Sequence, residues 1–378
     1  MSNIYEPDFA VHPGETISEY IESSGMSRAE FAKRLGMSIQ NLSRILNGKF
    51  AVSPETANAL ERVTGVTSTF WLKLQALYDA YETKCNIKKE AEANIKWIKK
   101  FKYAELAKRG WVKMTRKLSE RYQQLLDFFG VASPRSWYNL WLEPDAAPRR
   151  SPAFASNSYL ASIWLRMGEK KVLRDNFNIE TNRESLKRLI PQLRELTRLS
   201  QEEFIPKLKS LCQSAGVAVV LTPSISGLSW VGATKWLNGK TAIIMLSDRG
   251  KYEGIFWFSF FHEVCHVLKD GKKDILGNDR KKEDAREKRA DDFAAKVLYQ
   301  GEEKRIISAQ SESDIINISN DLGVSPGIIA GALQHLTNDH TKFKYLCHKI
   351  SFKEDDLARE ASCPLTTANS RRGAVDLE

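Results

Sequence analysis

Apolar residues recur every three to four positions through most of the first 211 residues, the spacing of helices that bury one face. Residues 27–35 read as one such helix. Ser27 is its cap, and Glu30 three positions on completes a capping box. Gly36 follows, where a chain leaving a helix needs φ > 0. Ser38 then caps a second, short helix over 39–46. Its Leu42, Ile45 and Leu46 turn inward, its Gln40, Asn41, Ser43 and Arg44 outward, and Asn47-Gly48 ends it. From 90 to about 211 further amphipathic segments follow, such as 120–129 and 186–196. Pro144, Pro148 and Pro152 interrupt them and predict a loop or hinge over 143–158.

Near Gly216 the period changes. Residues 217–221 and 241–246 are short β-branched runs, and 228–237 predict a third strand that ends at the hairpin signal Asn238-Gly239. The pattern predicts a mainly α protein with an α+β C-terminal domain. Its parts are a helix-turn-helix bundle, a helical connector, and a small sheet packed on a helix at 255–268. The expected boundaries are 1–83, 84–211, 212–350, and a polar tail over 351–378 with too little to bury to be ordered.

The 255–268 helix carries His262-Glu263-Val264-Cys265-His266. Two histidines four apart share one helix face, so both rings can reach one Zn²⁺ at about 2.0–2.1 Å. Glu263, beside the first, is placed to take a proton from an attacking water. A third ligand is needed, and the next helix, 280–299, supplies candidates. Glu287 shares the small, apolar face of Ala290 and Ala294, where a carboxylate is costly unless something positive binds it. Glu283 and Asp291, one turn away, are rivals or partners behind the ligands. No motif assigns an oxyanion donor; Tyr252 and His335 are the groups to consider.

A helix, a glycine turn and a second helix with an amide-rich outer face suit the DNA major groove. Gln and Asn pair with adenine edges and Arg with guanine, so Ser38, Gln40, Asn41, Ser43, Arg44, Asn47 and Lys49 are the expected DNA-contacting residues. One such helix reads few bases, which predicts a homodimer on a palindromic operator. The formal net charge of +10 falls unevenly. Residues 1–82 hold 7 basic and 10 acidic side chains, 83–200 hold 25 and 12, and 201–378 hold 25 of each. The DNA-facing segment is therefore acidic. The basic stretch 84–117 is either a solvated helix face or a flank that contacts phosphate.

No run of about 18 uncharged apolar residues is present, so no membrane partner is expected. The N-terminus lacks the basic-then-apolar order of a signal peptide. Cys85, Cys212, Cys265, Cys347 and Cys363 are odd in number, scattered and without a CxxC pair, as in reduced cytoplasmic proteins.

The segment 12–82 resembles the Xre-type helix-turn-helix of HigA antitoxins. The resemblance is carried by His-Pro-Gly-Glu at 12–15, Ser-Arg-Ala-Glu-Phe-Ala-Lys-Arg-Leu-Gly at 27–36, Leu-Ser-Arg-Ile-Leu-Asn-Gly-Lys at 42–49 and the Phe70-Trp71-Leu72 helix. The segment 216–298 resembles the ImmA/IrrE metallopeptidases, through Phe261-His-Glu-Val-Cys-His-Val-Leu and the ExxADxFAA element at 287–295. That resemblance implies a zinc site of His262, His266 and Glu287. Cys265 stands where glycine or serine is common, and Leu298-Tyr299-Gln300 replaces the usual apolar-Pro ending. Together the resemblances imply a DNA-binding transcriptional regulator with a zinc-dependent endopeptidase domain acting on a regulatory protein such as a repressor. The alternative is a HigA-like antitoxin whose peptidase-like domain binds or senses a partner, such as a cognate toxin, without proteolysis.

Overall fold

The computed structural model describes residues 9–141, 158–270, 280–299 and 301–352. The 143–158 hinge, apart from Ser158, and the 351–378 tail beyond Phe352 lie outside them. The chain divides into two compact units, Met1–Ile95 with Lys117–Ser119, and Lys96–Arg116 with Glu120–Glu378.

The first unit is built from α1 (Pro13–Ser23), α2 (Arg28–Arg34), α3 (Ile39–Leu46), α4 (Pro54–Thr64) and α5 (Ser68–Ala93). Its core gathers Ile17, Ile21, Phe31, Leu42, Ile45, Leu60 and Trp71. The His-Pro-Gly-Glu motif is a docking device. His12 caps α1, its Nδ1 accepting from Gly14 N at 2.9 Å, and Pro13 needs no partner in the first turn. Gly14 lies so close to the end of α3 that a Cβ would meet the Ile45 and Leu46 carbonyl oxygens at 2.6 Å. Ser27 caps α2 as expected, accepting from Glu30 N at 3.1 Å. The capping box, however, stays half-made: Glu30 turns instead to Arg34, with Oε1 2.8 Å from Nη2, an ordinary i,i+4 pair.

The second unit opens with α6 (Ile95–Lys100), α7 (Tyr103–Lys108), α8 (Leu118–Phe129) and α9 (Pro134–Trp141). Trp97, Phe101, Phe129 and Trp137 pack edge-on, and Trp137 stacks on Tyr159 at 4.9 Å. Next come α10 (Ser158–Arg174), α11 (Arg183–Glu195) and α12 (Gln201–Ser214). The sheet is β1 (Val217–Thr222), β2 (Gly232–Leu237) and β3 (Thr241–Ser247) in the order β1-β3-β2. β3 runs parallel to β1, with Val217 beside Ala242, and antiparallel to β2, with Gly232 beside Leu246. Asn238 and Gly239 both have positive φ, 51° and 65°, as the tight β2–β3 turn requires. The third strand starts four residues later than expected, because Leu228 closes a turn onto Ile225 O at 3.0 Å.

α13 (Glu253–Lys269) and α14 (Arg280–Tyr299) lie against each other, with α13 also on the sheet and on α17 (Pro326–Thr337). Between α14 and α17 in sequence come α15 (Glu303–Ile307) and α16 (Glu312–Leu322). Phe256, Trp257, Phe260 and Phe261 of α13 sit in the main core with Ile244, Leu298 and Ile329. Among the described residues, no helix is long and apolar enough to cross a membrane.

Candidate functional site

α13 and α14 bring three donors to one spot. His262 and His266, one turn apart, have their Nε2 atoms 3.0 Å from each other. Glu287 reaches across from α14, with Oε2 3.2 Å from His262 Nε2 and Oε1 3.7 Å from His266 Nε2. His262, His266 and Glu287 form the one group of three or more such donors within 4.8 Å among the described residues. Ala290 and Ala294, fully buried, press α14 close enough to α13 for this reach.

Each ring is also held from behind. His262 Nδ1 lies 2.8 Å from Asp291 Oδ1, and His266 Nδ1 lies 2.7 Å from Asp270 Oδ2. An ionised carboxylate only accepts, so these partners set the tautomer: Nδ1 holds the proton and Nε2 turns a lone pair inward. Asp270 is itself fastened. Arg289 Nη2 donates to its Oδ1 and Arg183 Nη2 to its carbonyl oxygen. Asp292 is exposed, and the Glu283 side chain lies outside what the structure describes.

The charges match this arrangement. Burial opposes a charge on His262, but Glu287, Glu263 and Asp291 outweigh it and push its pKa up to about 9. Burial likewise opposes a charge on His266, and the Asp270 hydrogen bond leads the contacts that raise it. The His262 hydrogen bond holds Glu287 below the usual carboxylate range. Two inward lone pairs beside a carboxylate call for a positive charge between them. A proton or a metal cation can supply it, and two imidazoles with one carboxylate form a donor set that fits zinc.

Glu263 is 7% exposed, and burial raises its pKa against the pull of His266 and His262. Thr234 of β2 donates its hydroxyl to Glu263 Oε2 at 2.7 Å. A Cβ on Gly232 would stand 2.8 Å from Glu263 Oε1, so β2 cradles the carboxylate only because that position is bare. Neither Thr234 nor Gly232 was singled out from sequence. Asp270 was missed too, although it lies four residues after His266, one further turn on the same helix face. Tyr252 caps α13 ten residues ahead of His262, about 15 Å along the axis, which removes it as an oxyanion donor. His335 is exposed in the last turn of α17. Cys265 is buried with Sγ 3.8 Å from Arg289 O, and burial raises its pKa, so it packs as a thiol.

The first unit presents a different surface. Gln40, Asn41, Arg44, Asn47 and Lys49 are exposed, and Ser43 is half-buried. Ser38 caps α3, its Oγ accepting from Asn41 N at 3.1 Å. Asn47 Nδ2 donates to Ser43 O at 2.7 Å, and the Arg44 guanidinium lies 5.0 Å from the centre of the Phe50 ring. Part of the basic stretch is already engaged inside the second unit. Lys102 Nζ donates to Ser226 O at 2.7 Å and Arg109 Nη2 to Ser224 O at 2.8 Å, pinning the loop that leads into β2.

Residues 17–71 match the helix-turn-helix family model, and residues 212–334 match that of the IrrE N-terminal-like domain. An uncharacterised helix-turn-helix-type transcriptional regulator of Escherichia coli strain K12, YddM, is 36% identical over 70 residues, 18% of this chain and 74% of that protein. The chain belongs to the helix-turn-helix transcriptional regulators. Virulence-associated protein A of Dichelobacter nodosus is 42% identical over 69 residues, 18% of this chain and 68% of that one. A solved addiction module antidote protein of the HigA family from Coxiella burnetii is 33% identical. It covers 23% of this chain and 91% of its own, with a TM-score of 0.20. This regulator binds DNA and also carries an IrrE-like domain, whose peptidase family is typically zinc-dependent.

Proposed function

We propose that this regulator is also a zinc endopeptidase, with His262, His266 and Glu287 as the metal ligands and Glu263 as the base. The observation that carries the reading is the pair of imidazoles, each fixed at Nδ1 by a carboxylate and turned at Nε2 toward Glu287. Zinc held there acts as a Lewis acid toward water and a peptide carbonyl. Glu263 takes the proton from the attacking water and returns it to the departing amine. Burial raises its pKa, which makes it a better proton acceptor for the first of these steps. Thr234 holds the carboxylate in place between them.

β2 is an outer strand, and among the described residues nothing pairs with its free edge. An extended substrate chain can add there by main-chain hydrogen bonds, beside Glu263. The substrate class is a regulatory protein, and the DNA half, as a homodimer, contacts its operator through Ser38, Gln40, Asn41, Ser43, Arg44, Asn47 and Lys49. The test incubates purified full-length protein, loaded with zinc, with denatured bacterial proteins and reads new N-termini by mass spectrometry. The wild type should create them. Glu263→Gln should create none while keeping its zinc. Identical products from Glu263→Gln would remove Glu263 from the chemistry. A wild type that cuts nothing would favour partner sensing without proteolysis.

A further inference from the structure

The outer face of α3 is polar at every position but one. Ile39 stands in its first turn, 52% exposed, between the capping Ser38 and Gln40. It shares a side of the helix with Ser43, four residues on, while the inward residues Leu42 and Ile45 are 1% and 4% exposed. Within the first unit Ile39 therefore adds nothing to the core. A β-branched apolar side chain is also a poor choice for an exposed first helical turn, where polar and acidic residues do better.

The major groove displays hydrogen-bonding edges and one apolar group, the 5-methyl of thymine. We propose that Ile39 reads a thymine 5-methyl group in each operator half-site. This rests on α3 being the helix that enters the groove. Its setting fits that role. Gln40 and Arg44, four apart on the outer face, supply donors for adenine or guanine edges, and Ile39 at the helix N-terminus supplies the apolar contact beside them. Arg44, in the last turn, is steadied over the Phe50 ring.

The test uses the full-length protein to select duplexes from a random-sequence pool. The selected consensus is then remade with each thymine replaced in turn by deoxyuridine, which lacks only the methyl. Binding is measured for the wild type, Ile39→Ala and Ile39→Val. Ile39 is exposed, so both variants fold, and melting temperature checks this. In each half-site one deoxyuridine position should weaken wild-type binding about fourfold, the worth of one buried methyl group. The same position should weaken Ile39→Ala less than about 1.5-fold, with Ile39→Val in between. The salt dependence of binding should be equal in all three, since no charge changes. A consensus in which no thymine methyl matters, or matters equally in wild type and Ile39→Ala, overturns the assignment while leaving α3 as the reader. Failure to select any consensus overturns the DNA reading itself, and this inference with it.

Discussion

Both histidines of the His262–His266–Glu287 centre have a partner behind them, whereas the side chains on the outer face of α3 are held by little. His262 leans on Asp291, His266 on Asp270, and Asp270 on Arg289. Gln40 and Asn41, by contrast, make no side-chain hydrogen bond among the described residues, and Arg44 has only the Phe50 ring. On the proposed reading, the difference follows from the ligand. A metal ion tolerates little error in donor position, so the ordering entropy is met during folding. A base edge can be met by a side chain that settles on binding, and DNA supplies the missing partners. Damage behind the two histidines should therefore be felt as strongly as damage to many direct DNA contacts.

The largest effect expected is at Glu287. Glu287→Ala should lower zinc affinity by more than about 100-fold, measured by competition with a chromogenic chelator. Asp270→Asn and Asp291→Asn should each cost about 10–100-fold, with the ring left in place but its tautomer and tilt released. If both leave zinc affinity at the wild-type value, the carboxylates behind the rings are surface ion pairs and the contrast drawn above fails.

The next effect separates the two units. Gly14→Ala forces a methyl group against the Ile45 and Leu46 carbonyl oxygens and should destabilise the first unit by about 1–3 kcal/mol. DNA binding should weaken with it, while zinc content stays that of the wild type. A parallel loss of zinc would show that the units do not fold independently. Among direct contacts, Gln40→Ala and Arg44→Ala should each lose about 1–3 kcal/mol of discrimination against the wrong base, with melting unchanged. A drop in stability in place of a drop in specificity would make these fold residues. The smallest effect belongs to Ser38→Ala. It should cost about 1 kcal/mol of stability by uncapping α3, and calorimetry would show whether Asn41 N finds another acceptor.

What could be read from the sequence was what depends on neighbours along the chain. The Ser27 and Ser38 caps, the Gly36 turn and the Asn238-Gly239 hairpin are local signals, and each appears where the chain predicts it. The spacing of His262 and His266 and the apolar face that Glu287 shares are local too. Thr234 was out of reach, because its bond to Glu263 spans 29 residues and depends on the register of β2. So were the internal uses of Lys102 and Arg109, whose carbonyl partners lie 124 and 115 residues away. A count of charges cannot tell a lysine facing phosphate from one that closes a loop. The unmade half of the α2 capping box is a lesser case, where Arg34 offers Glu30 a charge that the backbone N–H lacks.

The most direct test is zinc stoichiometry in purified full-length protein, wild type against the double variant His262→Ala/His266→Ala, with binding to a selected DNA duplex measured on the same samples. The account predicts about one zinc per wild-type chain, almost none in the double variant, and equal DNA affinity in both. Full zinc occupancy in the double variant would contradict it.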